Sequence, residues 1–109
     1  MDNQLAEKIR YNSLFDLYGS LLTEKQREYF EYYYSEDYSL SEIADLLKVS
    51  RNAVYDQIKI VLSHLEIYEK KLGLLKQKHK QNMIGEQIKA LYPNDAQLDS
   101  LVEKLKKTE

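Results

Sequence analysis

The sequence predicts an all-α fold: a helix-turn-helix flanked by N- and C-terminal helices. Three observations carry this expectation. Apolar residues recur at helical spacing along all 109 residues. Only three Gly and one Pro are available to interrupt helices. No Asn-Gly or Asp-Gly dipeptide offers a hairpin turn. Leu, Lys, Glu, Gln and Ala, all good helix formers, fill many windows. The length fits one domain, residues 1–109. The helix-turn-helix core is expected at about 23–65, and a C-terminal helical extension over 74–109.

The first helix is read from Gln4 to Tyr18, with Leu5, Ile9, Tyr11, Leu14, Phe15 and Tyr18 as its apolar stripe and Gly19 as a positive-φ stop. The second starts at Thr23, where Thr23-Glu24-Lys25-Gln26 reads as a capping box, and ends near Ser35-Glu36-Asp37. Leu22, just before the cap, is placed to staple onto this helix. A third, short helix follows Leu40, capped by Ser39 or Ser41, and covers Glu42–Leu47. Lys48-Val49-Ser50 makes a turn. Ser50 then caps a long fourth helix from Arg51 to about Leu72. Its seam, Val54, Ile58, Val61, Leu65, Tyr68, Leu72 and Leu75, alternates spacings of four and three. That seam can pair with the first helix or with another copy of the chain. Gly73 ends or kinks this helix. A fifth runs from Leu74 to Leu91 with Met83, Ile84, Ile88 and Leu91 on one side. Tyr92-Pro93 breaks it. The last begins at an Asn94 cap and carries Leu98, Leu101, Val102 and Leu105.

The stretch from Leu40 to Ile58 carries the functional reading. A steep crossing of two short helices needs a small residue, and Ala44 is one. Ile43, Leu47, Val49, Val54 and Ile58 are expected to fill the space beneath the turn. The arrangement leaves one face of the Arg51 helix exposed, presenting Arg51, Asn52, Tyr55, Asp56 and Lys59. In helix-turn-helix proteins that bind DNA such a face enters the major groove, and Arg and Asn can each bond base edges in pairs.

Charge argues against strong duplex binding. The chain carries a net charge of −2. Within Thr23–His64 five Lys and Arg side chains stand against eight Asp and Glu, a net −3. Phosphate contacts normally come from Lys and Arg. A second basic feature lies in Glu69–Lys80, with Lys70, Lys71, Lys76, Lys78 and Lys80 against Glu69 alone. It is suited to RNA phosphates or an acidic protein, or is an ordinary solvated face.

Two family resemblances meet here. Leu22-Thr23-Glu24-Lys25-Gln26-Arg27, Tyr38-Ser39-Leu40-Ser41-Glu42-Ile43-Ala44 and Val49-Ser50-Arg51 resemble region 4 of bacterial sigma factors, over about a third of the chain. Nearly the whole chain resembles the YlxM-like family. That resemblance rests on Tyr32-Tyr33-Tyr34-Ser35-Glu36-Asp37-Tyr38-Ser39-Leu40, Val49-Ser50-Arg51-Asn52-Ala53-Val54-Tyr55-Asp56, Tyr68-Glu69-Lys70-Lys71-Leu72 and Tyr92-Pro93. It implies a small bacterial helix-turn-helix protein linked to the signal recognition particle pathway. The implied role is regulatory or accessory, with the particle's GTPase, its RNA or both as partners. The sigma-like pattern has departures. Lys48 stands where many such motifs have Gly, and Tyr55 and Asp56 where basic residues are common.

Other classes find little support. The chain has no Cys, so disulfides, thiolate metal sites and a Cys nucleophile are excluded. His64 and His79 have no metal-ligand spacing, and no Gly-rich phosphate loop or Gly-x-Ser-x-Gly elbow occurs. The expectation is therefore no enzyme, no metal and no cofactor. No apolar run reaches the roughly 18–20 residues that span a bilayer. Met1-Asp2-Asn3-Gln4 lacks the features of a signal peptide, so the cytoplasm is the default. Of the ten Tyr, Phe30 with Tyr33 or Tyr34 are expected in the core, and Tyr29 and Tyr32 at the surface. DNA and a homodimer remain open as partners beside the particle. The candidate binding residues are Arg51, Asn52, Tyr55, Lys59, Lys70, Lys71, Lys76 and Lys78.

Overall fold

Helix-favouring composition is realised as six α-helices in a computed structural model that describes residues 2–107. They are α1 (Asp2–Tyr18), α2 (Glu24–Phe30), α3 (Leu40–Leu47), α4 (Arg51–Leu72), α5 (Leu74–Leu91) and α6 (Ala96–Lys107). No strand occurs among the described residues. The chain divides into two compact units, Met1–Leu72 and Gly73–Glu109. Gly73 sits at the boundary with φ +64°, a left-handed conformation that glycine adopts without steric cost and that ends α4.

In the first unit α4 is the spine. Val54, Ile58, Val61 and Leu65 are buried, and α4 packs on α1, α2 and α3. From Val54 to Leu65 the seam is thus buried within its own chain, whereas Leu72 is exposed. From α1 only Leu14 and Tyr18 are fully buried; Leu5 and Ile9, expected in the core, are exposed. In these first turns the polar side faces the neighbouring segment, with Gln4, Glu7 and Lys8 lining a cavity with Tyr33, Tyr34 and Asp37, so the apolar residues meet solvent. Arg10 Nε and Nη2 each donate a 2.8 Å hydrogen bond to Glu66, and the Tyr18 hydroxyl donates one of 2.6 Å to Glu69. These polar contacts lock α1 against α4 on the flank of the apolar seam.

Gly19 does not terminate α1 through positive φ. It opens a 3₁₀ turn, Gly19–Leu21, and lies buried beneath Phe15, where a Cβ would stand 3.2 Å from the ring. The reason for glycine here is close approach. The Phe15 ring in turn stacks on Phe30 at 4.2 Å, and Phe30 on Tyr34 at 4.8 Å. Offset stacks of this kind add stabilisation beyond area burial.

The Thr23 capping box forms as expected: Thr23 Oγ1 accepts from the Gln26 amide at 3.1 Å, and the Gln26 side chain accepts from the Thr23 amide at 2.9 Å. Leu22 is buried at this entry. Beyond Phe30 the helix widens into a π-helical turn, Glu31–Ser35, closed by the Glu36 amide donating to Glu31 O at 2.9 Å. The extra residue per turn rotates the tyrosines. Tyr34 enters the core, Tyr33 packs edge-on against it, and Tyr32 stacks on Tyr38. Tyr29 is buried, contrary to the sequence expectation, on the helix that packs on α4; Tyr29, Leu47 and Val49 line one concavity. Burial of Tyr34 holds its phenol well above the ordinary range.

The second unit is the antiparallel pair α5 and α6. Leu75, Gly85 and Val102 are its buried residues. Met83, Ile84 and Leu91, expected on a packed side, are exposed, because α6 meets α5 along the line through Gly85 instead. Among the α6 stripe residues only Val102 is fully buried. The cap of α6 is Asp95, not Asn94: Asp95 Oδ1 accepts from the Leu98 amide at 3.0 Å. Asn94 takes a left-handed conformation, φ 66°, in the turn before it.

Lys48 ends α3 with φ 57° and ψ 46°. A side chain in this region costs about 1 kcal/mol relative to glycine. Lys48→Gly is expected to stabilise the first unit by up to about 1 kcal/mol, read as a raised urea midpoint with unchanged m-value. The Arg10 guanidinium holds the Glu66 carboxyl below its usual range. Its stabilising contribution is therefore present above the unfolded carboxyl pKa and is lost as pH falls through the lower folded value. The urea midpoint should drop between pH 6 and pH 3, and Glu66→Gln should flatten that dependence.

Candidate nucleic-acid interface

The crossing of α3 and α4 is set by three local devices. Ser39, rather than Ser41, caps α3: its Oγ accepts from the Glu42 amide at 3.0 Å while the Glu42 carboxylate accepts from the Ser39 amide at 3.0 Å. This bonding to Ser39 holds the Glu42 carboxyl below its ordinary range. The left-handed Lys48 reverses the chain, and the Val49 amide donates to Ala44 O at 3.0 Å. Ser50 Oγ then accepts from the Ala53 amide at 3.0 Å and starts α4. Ala44, 6% exposed, is the small residue beneath the crossing, with Ile43, Val54 and Ile58 buried around it.

Val49 does not fill the space beneath the turn. It is 40% exposed. The left-handed step at Lys48 carries it outward to the rim of an open concavity of about 570 Å³ lined by Thr23, Glu24, Lys25, Glu28, Tyr29 and Leu47. Leu47 is half-buried at the same rim.

The geometry leaves the predicted face of α4 open. Arg51, Asn52, Tyr55 and Lys59 are all exposed. Arg51, Tyr55 and Lys59 recur every four residues, and so form one stripe with Asn52 beside Arg51. The Lys59 ammonium lies 5.3 Å from the Tyr55 ring centroid, within cation–π range. That contact holds both side chains over the same part of the helix surface. Asp56 is exposed next to them and lowers the local positive potential. Glu24 and Glu28 on α2, and Glu31 and Glu36 after it, are exposed as well, so the surface of the first unit carries many carboxylates.

The other four predicted residues fall at the end of α4 and on α5. Lys70 and Lys71 are exposed in the last turn of α4, where their charge complements the helix dipole. Eleven residues separate Lys59 from Lys70, about 16 Å along the axis. Lys76 and Lys78 are exposed on α5 in the second unit. Two residues apart on a helix, they point about 200° from each other. Sequence reading grouped Lys76 with Lys78 because a run of lysines is visible in the chain, while helical phase within α5 turns them apart. What it missed was the Tyr29–Val49 concavity, whose signal was an apolar Val directly after a residue in the glycine position of the turn. No cluster of three His, Cys, Asp or Glu that could hold a metal occurs among the described residues.

Fold and site together define a helix-turn-helix protein. The model of the family described as "Putative helix-turn-helix protein, YlxM / p13 like" (UPF0122) matches residues 5–105. The chain belongs to this family. It is 48% identical over 103 residues to a UPF0122 protein of Latilactobacillus sakei, covering 91% of each chain. It is 47% identical over 105 residues to one of Geobacillus kaustophilus, covering 93% of this chain and 96% of the relative. A relative from Anoxybacillus flavithermus is 49% identical over 109 residues, covering 96% and 99%. No helix among the described residues is long and apolar enough to cross a membrane.

Ala44→Leu tests the crossing. Overpacking there should cost about 1–3 kcal/mol, read by chemical denaturation, whereas Ala53→Leu on the half-buried start of α4 should cost less.

Proposed function

We propose that this protein is a regulatory or accessory binding protein of the signal recognition particle pathway, acting in the cytoplasm on the particle's GTPase, its RNA or both. It works by contact, without chemistry on its partner. The observation that carries this reading is the open stripe of α4. Arg51, Asn52 and Lys59 offer donors to phosphates, base edges or carboxylates, and Tyr55 offers a ring to stack. Binding through such a face shifts the partner between conformations by its different affinity for each. The pathway comes from the family resemblance, and Lys70, Lys71, Lys76 and Lys78 are assigned as flanking contacts to the same partner.

A second reading is a DNA-binding transcription regulator. The exposed Arg51 and Asn52 on the second helix of the motif favour it. The carboxylates of Asp56 and of α2 weigh against it, since duplex affinity depends on neutralising phosphates. On that reading, changing Arg51 and Asn52 abolishes sequence-selective binding that is steeply salt-dependent.

Recovery of partners from lysate with and without RNase separates the two readings. Particle RNA and GTPase on the column support the first, and a defined duplex the second. Charge reversal of Lys70, Lys71 and Lys76 to Glu should weaken association with the particle. For an RNA partner it should also reduce the salt slope by about one unit per lysine. Unchanged affinity would remove these three residues from the interface.

A further inference from the structure

The second unit buries little for its size. Among the described residues only Leu75, Gly85 and Val102 are fully buried there. A pair of short helices with so small a core is marginal by itself. Four ion pairs among its described residues form one network on one flank. Lys89 bonds Glu103 and Lys106 bonds Glu86, with Lys89–Glu86 at 3.8 Å and Lys106–Glu103 at 3.6 Å closing the network. On α5, Glu86 lies to one side of the Gly85 contact line, and Ile84, Ile88 and Leu91 lie to the other. On α6, Glu103 lies to one side of Val102, and Leu98, Leu101 and Leu105 to the other. The two glutamates belong to one network and so share a flank. The two apolar stripes therefore share the opposite flank. Leu101 and Leu105 are 57% and 52% exposed there, and Ile84 and Leu91 are exposed as well.

Charge is polarised along the same unit. Lys76, Lys78 and Lys80 lie toward the N-terminal end of α5, and Lys107 ends α6 on the same half. Asp95 and Asp99 stand at the turn that joins the two helices.

We propose that this flank is a homodimer interface: the α5–α6 pair of one chain packs end-for-end on that of a second copy, forming an antiparallel four-helix bundle. Two-fold symmetry makes one apolar flank complementary to itself. The end-for-end orientation lays the acidic turn of each copy beside the basic half of the other, whereas a parallel arrangement sets like charges together. The proposal is independent of what α4 binds.

Sedimentation velocity of the full chain from ~1 to ~100 μM, a range that spans ordinary dimer affinities, should show a dimer. Leu101→Glu with Leu105→Glu should return it to monomer with helicity by circular dichroism unchanged. If that variant loses helicity, Lys80→Glu with Lys107→Glu decides in its place, and should weaken self-association at least about tenfold. The chain has no Cys, so Gln77→Cys takes a single spin label. The end-for-end bundle puts the two labels about 30 Å or more apart, against about 15 Å or less in a parallel one. A monomer throughout the range, a dimer that survives the double glutamate or the charge reversal, or a short label distance would each overturn the proposal.

Discussion

The burial of one seam of α4 is the constraint on which the first unit depends. Val54, Ile58, Val61 and Leu65 are the positions where three other helices converge. Because the seam occupies one side of a continuous 22-residue helix, every other residue of that helix has its direction fixed by phase. Arg51, Tyr55 and Lys59 point outward because Val54 and Ile58 point inward. The open stripe is thus the complement of the core, held by apolar burial.

Around that spine, specific geometry comes from aromatic packing and from caps. The Phe15–Phe30–Tyr34 stack fixes how α1 meets α2, and it does so through a buried glycine that lets the Phe15 ring approach the backbone. The π-helical turn after Phe30 shifts the phase of the tyrosine run, so neighbouring tyrosines take different roles: core, edge contact and surface stack. Serine and threonine caps start α2, α3 and α4 without long loops. Lys48 holds a strained conformation between α3 and α4, and brings its charge to the turn at that cost.

The surfaces of the two units differ in character. The first presents a narrow basic stripe amid carboxylates, which suits a partner recognised by a few directed contacts better than one held by a broad electrostatic field. The second presents an apolar flank and a charged flank on the same helix pair. Ile84, Leu91, Leu101 and Leu105 are exposed there along one flank.

Much of this was legible in the sequence, because local chemistry decides it. The six helices, the Thr23 and Ser50 caps, the left-handed demand on Lys48, the break at Tyr92-Pro93 and the outward face of Arg51, Asn52, Tyr55 and Lys59 follow from spacing and capping rules that act within a few residues. Other features were decided only by tertiary structure. Leu5 and Ile9 belong to a helical stripe, yet they remain exposed. Tyr29 is buried where α2 packs on α4. Gly19 is small for the sake of a ring four residues earlier. The flanking lysines separate onto different faces and units. Periodicity states which residues could share a core, but burial depends on whether another element arrives to cover them, and that is settled by long-range packing that no local pattern encodes.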